Sequence, residues 1–354
     1  MANILINGNF LCRRLTGIER YAYEITIRLD KICKPDEIAI IVPNNAKNVP
    51  EFKNLKLIRH KKNIKSHFIW QMFTLQNFLL KNRQYIILEF GNSALPFAPG
   101  IVFLHDIYCE FFQKDFTSVK DKIIRIYNRW QYRLIAKKAK KILTVSQYSK
   151  NEISKTLKVD PSKISVIYSS ADHMQSIIPD DSIFADFPVL KEMPFYFSLG
   201  SLSKRKNIKW IIEYSKNNLG EIFAISGSSL PTVKVDELND EMPSNIILLG
   251  YLDDSKVKAL MTQCKAFILP SYYEGFGLTP LEALSCGAQI IVSNAASLPE
   301  VYGKCAHYID PFDTKVDLDK LLLEHTDAPD ELFNKYSYEK AANQVYKIIN
   351  EYSK

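Results

Sequence analysis

No stretch of the 354 residues approaches the roughly 18 to 20 consecutive apolar residues that a bilayer-crossing helix needs. The opening run Ala-Asn-Ile-Leu-Ile-Asn-Gly-Asn-Phe-Leu is strand-like and has neither a basic leader nor a cleavage site, so the chain is expected to stay in the cytoplasm. Cysteine is sparse. Its six copies, at 12, 33, 109, 264, 286 and 305, show no metal-ligand spacing, which argues against a disulfide framework or a zinc module and predicts reduced, mostly buried thiols. No helix-turn-helix, zinc or RNA-binding signature accompanies the basic residues, so nucleic acid is not an expected partner. No dedicated metal site is evident either. Asp317-Leu-Asp319 has a spacing that metal-dependent transferases use, but it starts a charged helix and reads as a cap.

What is present is the composition of a soluble globular protein, 47% hydrophobic and 24% charged, with length enough for two domains. The net charge of +7 is unevenly divided. Residues 1–172 carry 29 Lys and Arg against 14 Asp and Glu, and residues 173–354 carry 17 against 25. A basic half beside an acidic one suggests that the first approaches an anionic surface or acceptor. From Lys53 to His67 eight basic residues or histidines lead into Phe68, Ile69, Trp70, Met72 and Phe73. That order suits contact with anionic head groups, and it equally describes a solvated basic loop before a core helix.

Along the chain, the strand 3–6, the loop ending at Thr16-Gly17 and the helix 17–29 begin a βαβ unit, with the next strand at 37–42. Strands follow at 85–90, 100–104 and 141–146, a long helix at 119–139, and a helix near 150–156 capped by Ser146. His105-Asp106 falls where a parallel strand runs into its loop, a position favoured for sites. Residues 173–194 are rich in Pro and Asp without periodicity and read as a linker. A second alternation has strands at 195–199, 221–226, 245–249, 266–269, 289–292 and 306–309. Residues 330–354 read as a C-terminal helix able to pack back on the first domain. The expected domains are thus 1–172 and 195–329.

Two loops carry chemistry. Gly200-Ser-Leu-Ser-Lys-Arg-Lys-Asn207 places Lys204, Arg205 and Lys206 in a glycine-led turn, where cations can neutralise a departing diphosphate. Glu274-Gly-Phe-Gly-Leu-Thr-Pro-Leu-Glu282 sets two acids eight residues apart around a turn that opens a helix. Its backbone amides and helix dipole suit an anion, while the acids suit hydroxyls. An ordinary helix entered through a loop fits the same spacing.

Taken in order, Thr16-Gly-Ile-Glu-Arg-Tyr21, His105-Asp106, Thr144-Val-Ser146, Arg205-Lys-Asn207, Glu274 to Glu282 with Ala283-Leu-Ser-Cys-Gly287, and Ser297-Leu-Pro-Glu-Val301 resemble the retaining glycosyltransferases of family 4. The resemblance implies a GT-B fold, two Rossmann-like doubly wound α/β domains facing across a cleft. It implies that Arg205 and Lys206 hold the donor diphosphate, Glu274 the donor sugar and Glu282 the ribose. The amides of Phe276, Gly277, Leu278 and Thr279 would meet sugar and phosphate, His105 would lie against the donor sugar, and Gly17 would border acceptor and phosphates. Gly250-Tyr-Leu-Asp253 is a candidate for base contacts. The implied activity is retaining, metal-independent transfer of a hexose or deoxyhexose, with mannose or rhamnose favoured, from a nucleotide diphosphate sugar. No cofactor is expected. The acceptor would be a lipid-linked glycan of a bacterial surface polysaccharide, O-antigen or capsule, at the inner face of the cell membrane. A sugar-nucleotide epimerase of the same fold and a non-catalytic sugar-nucleotide or glycan-binding subunit are the alternatives.

Overall fold

The computed structural model describes residues 3–15, 17–47, 49–64, 66–200, 203–227 and 242–352. Thr16 of the first loop, Lys65 of the basic run, and Ser201 and Leu202 of the glycine-led turn lie outside the described residues. The chain divides into two compact units, Met1–Ser169 with Tyr336–Lys354, and Ser170–Lys335.

The first unit holds a seven-stranded parallel sheet in the order β3-β2-β1-β4-β5-β6-β7. Its strands are β1 (Ile4–Asn7), β2 (Ile38–Val42), β3 (Lys56–Arg59), β4 (Ile86–Glu89), β5 (Ile101–Phe103), β6 (Lys141–Thr144) and β7 (Ile164–Val166). Central strands such as Ile-Ala-Ile-Ile-Val in β2 are buried at every position, because helices cover both faces of a parallel sheet. The edge strands β3 and β7 were not expected: the Lys-Leu-Ile-Arg of β3 is largely exposed and sits inside the basic run, and β7 is three residues long. The opening helix, α1 (Ile18–Ile32), buries Tyr21, Ala22, Ile25 and Leu29 along one stripe.

The segment after the basic run is helical through Lys81, with a π turn at Trp70–Leu75. Of the aromatics that follow the basic run, Trp70 is fully buried, as the core-helix reading has it, and donates its indole N–H to Asn7 Oδ1 at 2.8 Å. Phe68, Ile69 and Phe73 do face solvent. The long helix α2 (Val119–Lys138) is started by a capping box between Ser118 and Asp121. Val119, Ile123, Ile126 and Trp130 recur along an exposed face of it, and Tyr127 brings the patch to Phe68 at a ring distance of 5.7 Å. Ser146 caps α3 (Gln147–Leu157) by accepting from Ser149 N.

The second unit holds a six-stranded parallel sheet in the order β10-β9-β8-β11-β12-β13. The strands are β8 (Phe195–Leu199), β9 (Ile222–Ser226), β10 (Ile246–Gly250), β11 (Ala266–Leu269), β12 (Ile290–Ser293) and β13 (His307–Ile309). Its helices include α4 (Ile208–Asn217), α5 (Asp254–Gln263) and α6 (Leu278–Ser285). Tyr196, Trp210, Tyr214 and Phe223 pack with Ile268 and Ile291 into its core.

Residues 173–194, expected as a linker, belong to this second unit. They form short helical turns at Asp172–Ser176, Ile183–Asp186 and Val189–Glu192, burying Ile183, Phe184 and Leu190. Lys258 of α5 fastens them by donating to the carbonyls of Met174 and Ile177 at 2.8 and 2.7 Å. Turns this short have no periodicity to detect. The C-terminal segment is two helices rather than one, α7 (Asp330–Lys335) and α8 (Tyr338–Glu351), because Ser337 caps a new start by accepting from Glu339 N. In the first unit α8 packs on α1, with Tyr338 and Tyr21 at a ring distance of 6.0 Å. All six cysteines are free thiols, and of these Cys33 and Cys109 are buried. No helix among the described residues is long and apolar enough to cross a membrane.

Candidate functional site

In an open parallel sheet, ligands bind beyond the carboxyl ends of the strands where strand order reverses. In the second sheet that point lies between β8 and β11. The turn after β8 and the turn after β11 meet there, with Tyr272 N donating to Arg205 O at 3.1 Å. Asn207, in a left-handed conformation, ties the first turn down by donating to the carbonyls of Pro270 and Pro311 at 3.0 and 2.7 Å.

Those turns bring three of the expected residues together. Glu274 is 5% exposed; Lys206 Nζ lies 2.8 Å from its Oε1 and Arg205 Nη1 lies 3.2 Å from its Oε2. Burial pushes the carboxyl upward, but the charges of Lys206 and then Arg205 outweigh it and hold the group below the ordinary glutamate range. The site therefore keeps an ionised acid and the Lys206 cation largely out of bulk water, with Arg205 about a quarter exposed. Such an arrangement can offer its cations to an anion and its carboxylate oxygens to a hydroxyl. Gly200 makes room for one of the cations, since a Cβ there would stand 3.2 Å from Lys206 Cε.

Gly277 starts α6 with φ +80°, and a Cβ on it would fall 2.4 Å from Leu298 Cδ2, so only glycine fits. The N–H groups of the first helical turn, from Leu278 and Thr279 onward, have no intrahelical acceptor and point to where an anion is favoured. Thr279 Oγ1 is buried without a hydrogen-bond partner among the described residues, as a group awaiting a ligand would be. Phe276 is buried beside them.

Supports for this turn were not identified as such from sequence. Ser297 Oγ donates to Glu274 O at 2.9 Å, the Tyr302 hydroxyl donates to Gly277 O, and Leu298 packs over Gly277. Thus the Ser297–Val301 motif braces the turn. Glu282, on α6, is buried, and its Oε1 lies 3.1 Å from His173 Nε2. His173 was missed as well, hidden in the presumed linker. Asp253 of the base-contact candidate is the N-cap of α5, accepting from Lys256 N at 3.0 Å. Asp317 likewise caps a helix through Lys320 N at 2.9 Å, while Asp319 accepts from the Tyr196 hydroxyl at 2.8 Å. No cluster of three or more potential metal-ligating side chains occurs among the described residues.

In the first unit, His105 follows β5 and is 8% exposed. Its Nε2–H donates to Phe90 O at 2.9 Å, which leaves Nδ1 as the ring's acceptor. Burial lowers its pKa, so the ring is neutral at pH 7. Gly17 precedes α1 with φ +48° in open space, so conformation rather than crowding calls for glycine.

Comparison with known proteins agrees with this geometry. The model of Glycosyltransferase Family 4 matches residues 15–174, and that of Glycosyl transferases group 1 matches residues 180–312. The chain is 25% identical over 342 residues to an O-antigen chain mannosyltransferase of Salmonella typhimurium, spanning 88% of each. It is 32% identical over 168 residues to a serotype-specific mannosyltransferase of Escherichia coli, covering 43% of this chain but 19% of that longer protein. The sucrose-phosphate synthase of Thermosynechococcus elongatus matches over 98% of both chains with a TM-score of 0.73 at 14% identity, a likeness that shows the GT-B fold.

Proposed function

The chain belongs to the family 4 glycosyltransferases, and from that premise we propose that it moves a hexose or deoxyhexose, mannose or rhamnose in preference, from a nucleotide diphosphate sugar to a lipid-linked glycan of a bacterial surface polysaccharide. The observation that carries the donor assignment is the buried Glu274 held between Arg205 and Lys206 at the mouth of the Gly277 turn. Mannose is favoured by the names of the relatives.

Transfer proceeds on one face of the sugar. The bond between the anomeric carbon and the diphosphate oxygen breaks with its electron pair going to the diphosphate. The acceptor oxygen bonds to the same face, and its proton passes to the departing phosphate oxygen. Arg205, Lys206 and the first-turn amides of α6 take up the growing charge, where preorganised donors are most effective. Glu274 orients the sugar and Glu282 the ribose. No protein carboxylate serves as a nucleophile, and no metal is required. A thermal-shift panel of UDP, GDP, dTDP and their sugars tests the donor site, with stabilisation expected from one base. No shift with any nucleotide, an inverted product, or activity abolished by chelator would each count against the scheme.

The basic first unit supports docking on the anionic inner face of the cell membrane. The exposed face of α2 with Phe68 and Phe73 supplies apolar contact, and Lys120 and Lys122 supply charge beside it. Binding to phosphatidylserine vesicles that falls with salt and with Ile123→Ser plus Ile126→Ser is expected; equal binding to uncharged vesicles would sink the electrostatic part.

A further inference from the structure

The first sheet also reverses order, between β1 and β4, and the residues that end those strands are Asn7 and Glu89. Beside them opens a cavity of about 150 Å3, walled by Phe10, Ile18 and Phe90 and reached by His67. Glu89 is 4% exposed and accepts only from neutral donors. Asn7 Nδ2 and Gln71 Nε2 reach its Oε2 at 2.6 and 3.0 Å, Gly91 N reaches Oε1 at 3.1 Å, and the Phe90 backbone also donates to the carboxyl. Among the described residues no cation pairs with it. Burial raises its pKa above the ordinary range despite these hydrogen bonds.

A carboxylate buried without a cation costs stability, and its two oxygens accept where a glutamine would turn an NH2 toward another N–H donor. Here the acid stands where such sheets bind ligands. The rest of the lining says which ligand. Burial, and then the Arg13 charge, lower His67 to about 4, so it is neutral at pH 7. Asn9 Nδ2 lies 2.6 Å from His67 Nδ1, which makes Nε2–H the ring's donor. Among the described residues that line the cavity the one Arg or Lys is Arg13, which pairs with Glu19 at 3.1 Å. Acceptors, amides and two aromatic walls without a surplus cation suit hydroxyls on a ring with apolar faces, and disfavour phosphate or a uronate.

We propose that this cavity binds a neutral pyranose of the acceptor glycan, with Glu89 accepting a hydrogen bond from one of its hydroxyls. That the sugar is an acceptor rests on the transferase assignment; that the cavity takes a neutral sugar does not. The test is saturation-transfer NMR on the full chain with methyl α-mannoside, methyl α-glucoside and methyl β-galactoside, against methyl glucuronide and inorganic diphosphate. At least one neutral glycoside should bind, and its affinity should fall at least about tenfold in Glu89→Gln, the scale of one hydrogen bond to a charged group. Ile18→Trp, which fills the cavity without touching the buried network, should abolish the signal while the melting temperature holds. Three results would overturn the assignment: no neutral glycoside binding, unchanged binding in both variants, or diphosphate displacing the glycoside. Failure of the donor scheme shows separately, as a wild-type chain that no nucleotide stabilises.

Discussion

Glu274 and Glu89 occupy matching places, each buried near the point where its parallel sheet reverses order, yet they are held by opposite means. Two cations clasp Glu274 and keep its pKa low, whereas two side-chain amides and backbone N–H groups hold Glu89, whose pKa burial raises. The same backbone frame therefore presents one cleft rich in positive charge and another with no surplus of it. The proposed reaction, which moves a glycosyl group to a neutral hydroxyl and releases a diphosphate, would use both. On that proposal the charge would serve the leaving group and the neutral cradle the hydroxyl compound.

The largest effect that can break this comparison is on turnover. Lys206→Ala should lower kcat by about 10²-fold or more, because it removes charge stabilisation that matters most as the diphosphate leaves. It should also reduce nucleotide-induced stabilisation. Glu89→Gln should raise the acceptor KM while nucleotide stabilisation is retained. If both variants weaken nucleotide binding alike, the two regions are not specialised as described.

A second test reads the two glutamates through acid stability. For Glu274 the folded pKa lies below the ordinary 4.5, so its contribution is complete above that value and is lost as pH falls through the lower folded one. For Glu89 the folded pKa lies above 4.5, so the protein gains stability from this group as pH falls through that raised value toward 4.5. Melting temperatures of wild type, Glu274→Gln and Glu89→Gln from about pH 7 to about pH 3.5 should therefore diverge in opposite senses. On acidification the advantage of wild type over Glu274→Gln should narrow, and its standing relative to Glu89→Gln should improve. Parallel curves would show that the contrast between the cradles is not energetic.

How far each cradle could be seen in the sequence follows from how local it is. Glu274, the Gly277 turn and Glu282 lie within nine residues, and their cations sit in a run led by Gly200, so spacing and residue type exposed the site. The second sheet and the five inner strands of the first were legible for the same reason, through short apolar runs alternating with helical stripes, while the edge strands β3 and β7 were not. The Glu89 cradle is assembled from Asn7, Gln71 and Gly91, two of which are 82 and 18 residues distant, and no periodicity links them. The burial of Trp70 could not be chosen over a surface role from sequence, because it packs on the distant Leu5, Ala39 and Ile41. The edge strand β3 was lost in a basic run, and the turns of 173–194 are too short to show a period.

His173 is the case where non-locality hides a residue inside the better understood cleft. Its Nε2 lies 3.1 Å from Glu282 Oε1, and Lys258 anchors the turn that carries it, so the ring can fix the carboxylate in one orientation. If Glu282 receives the ribose hydroxyls, the preference of the chain for a ribonucleotide over its 2′,3′-dideoxy counterpart measures that contact. Glu282→Gln should reduce the preference, measured with UDP or GDP, and His173→Ala should reduce it by roughly tenfold or less, since it removes only the orienting bond. His173→Gln, which keeps an N–H donor, should recover part of it. A loss in Glu282→Gln without one in His173→Ala would leave the ribose contact standing and His173 a packing residue. A ratio unmoved by either would remove Glu282 from the ribose, and the polarity of the second cleft would then rest on Arg205, Lys206 and Glu274 alone.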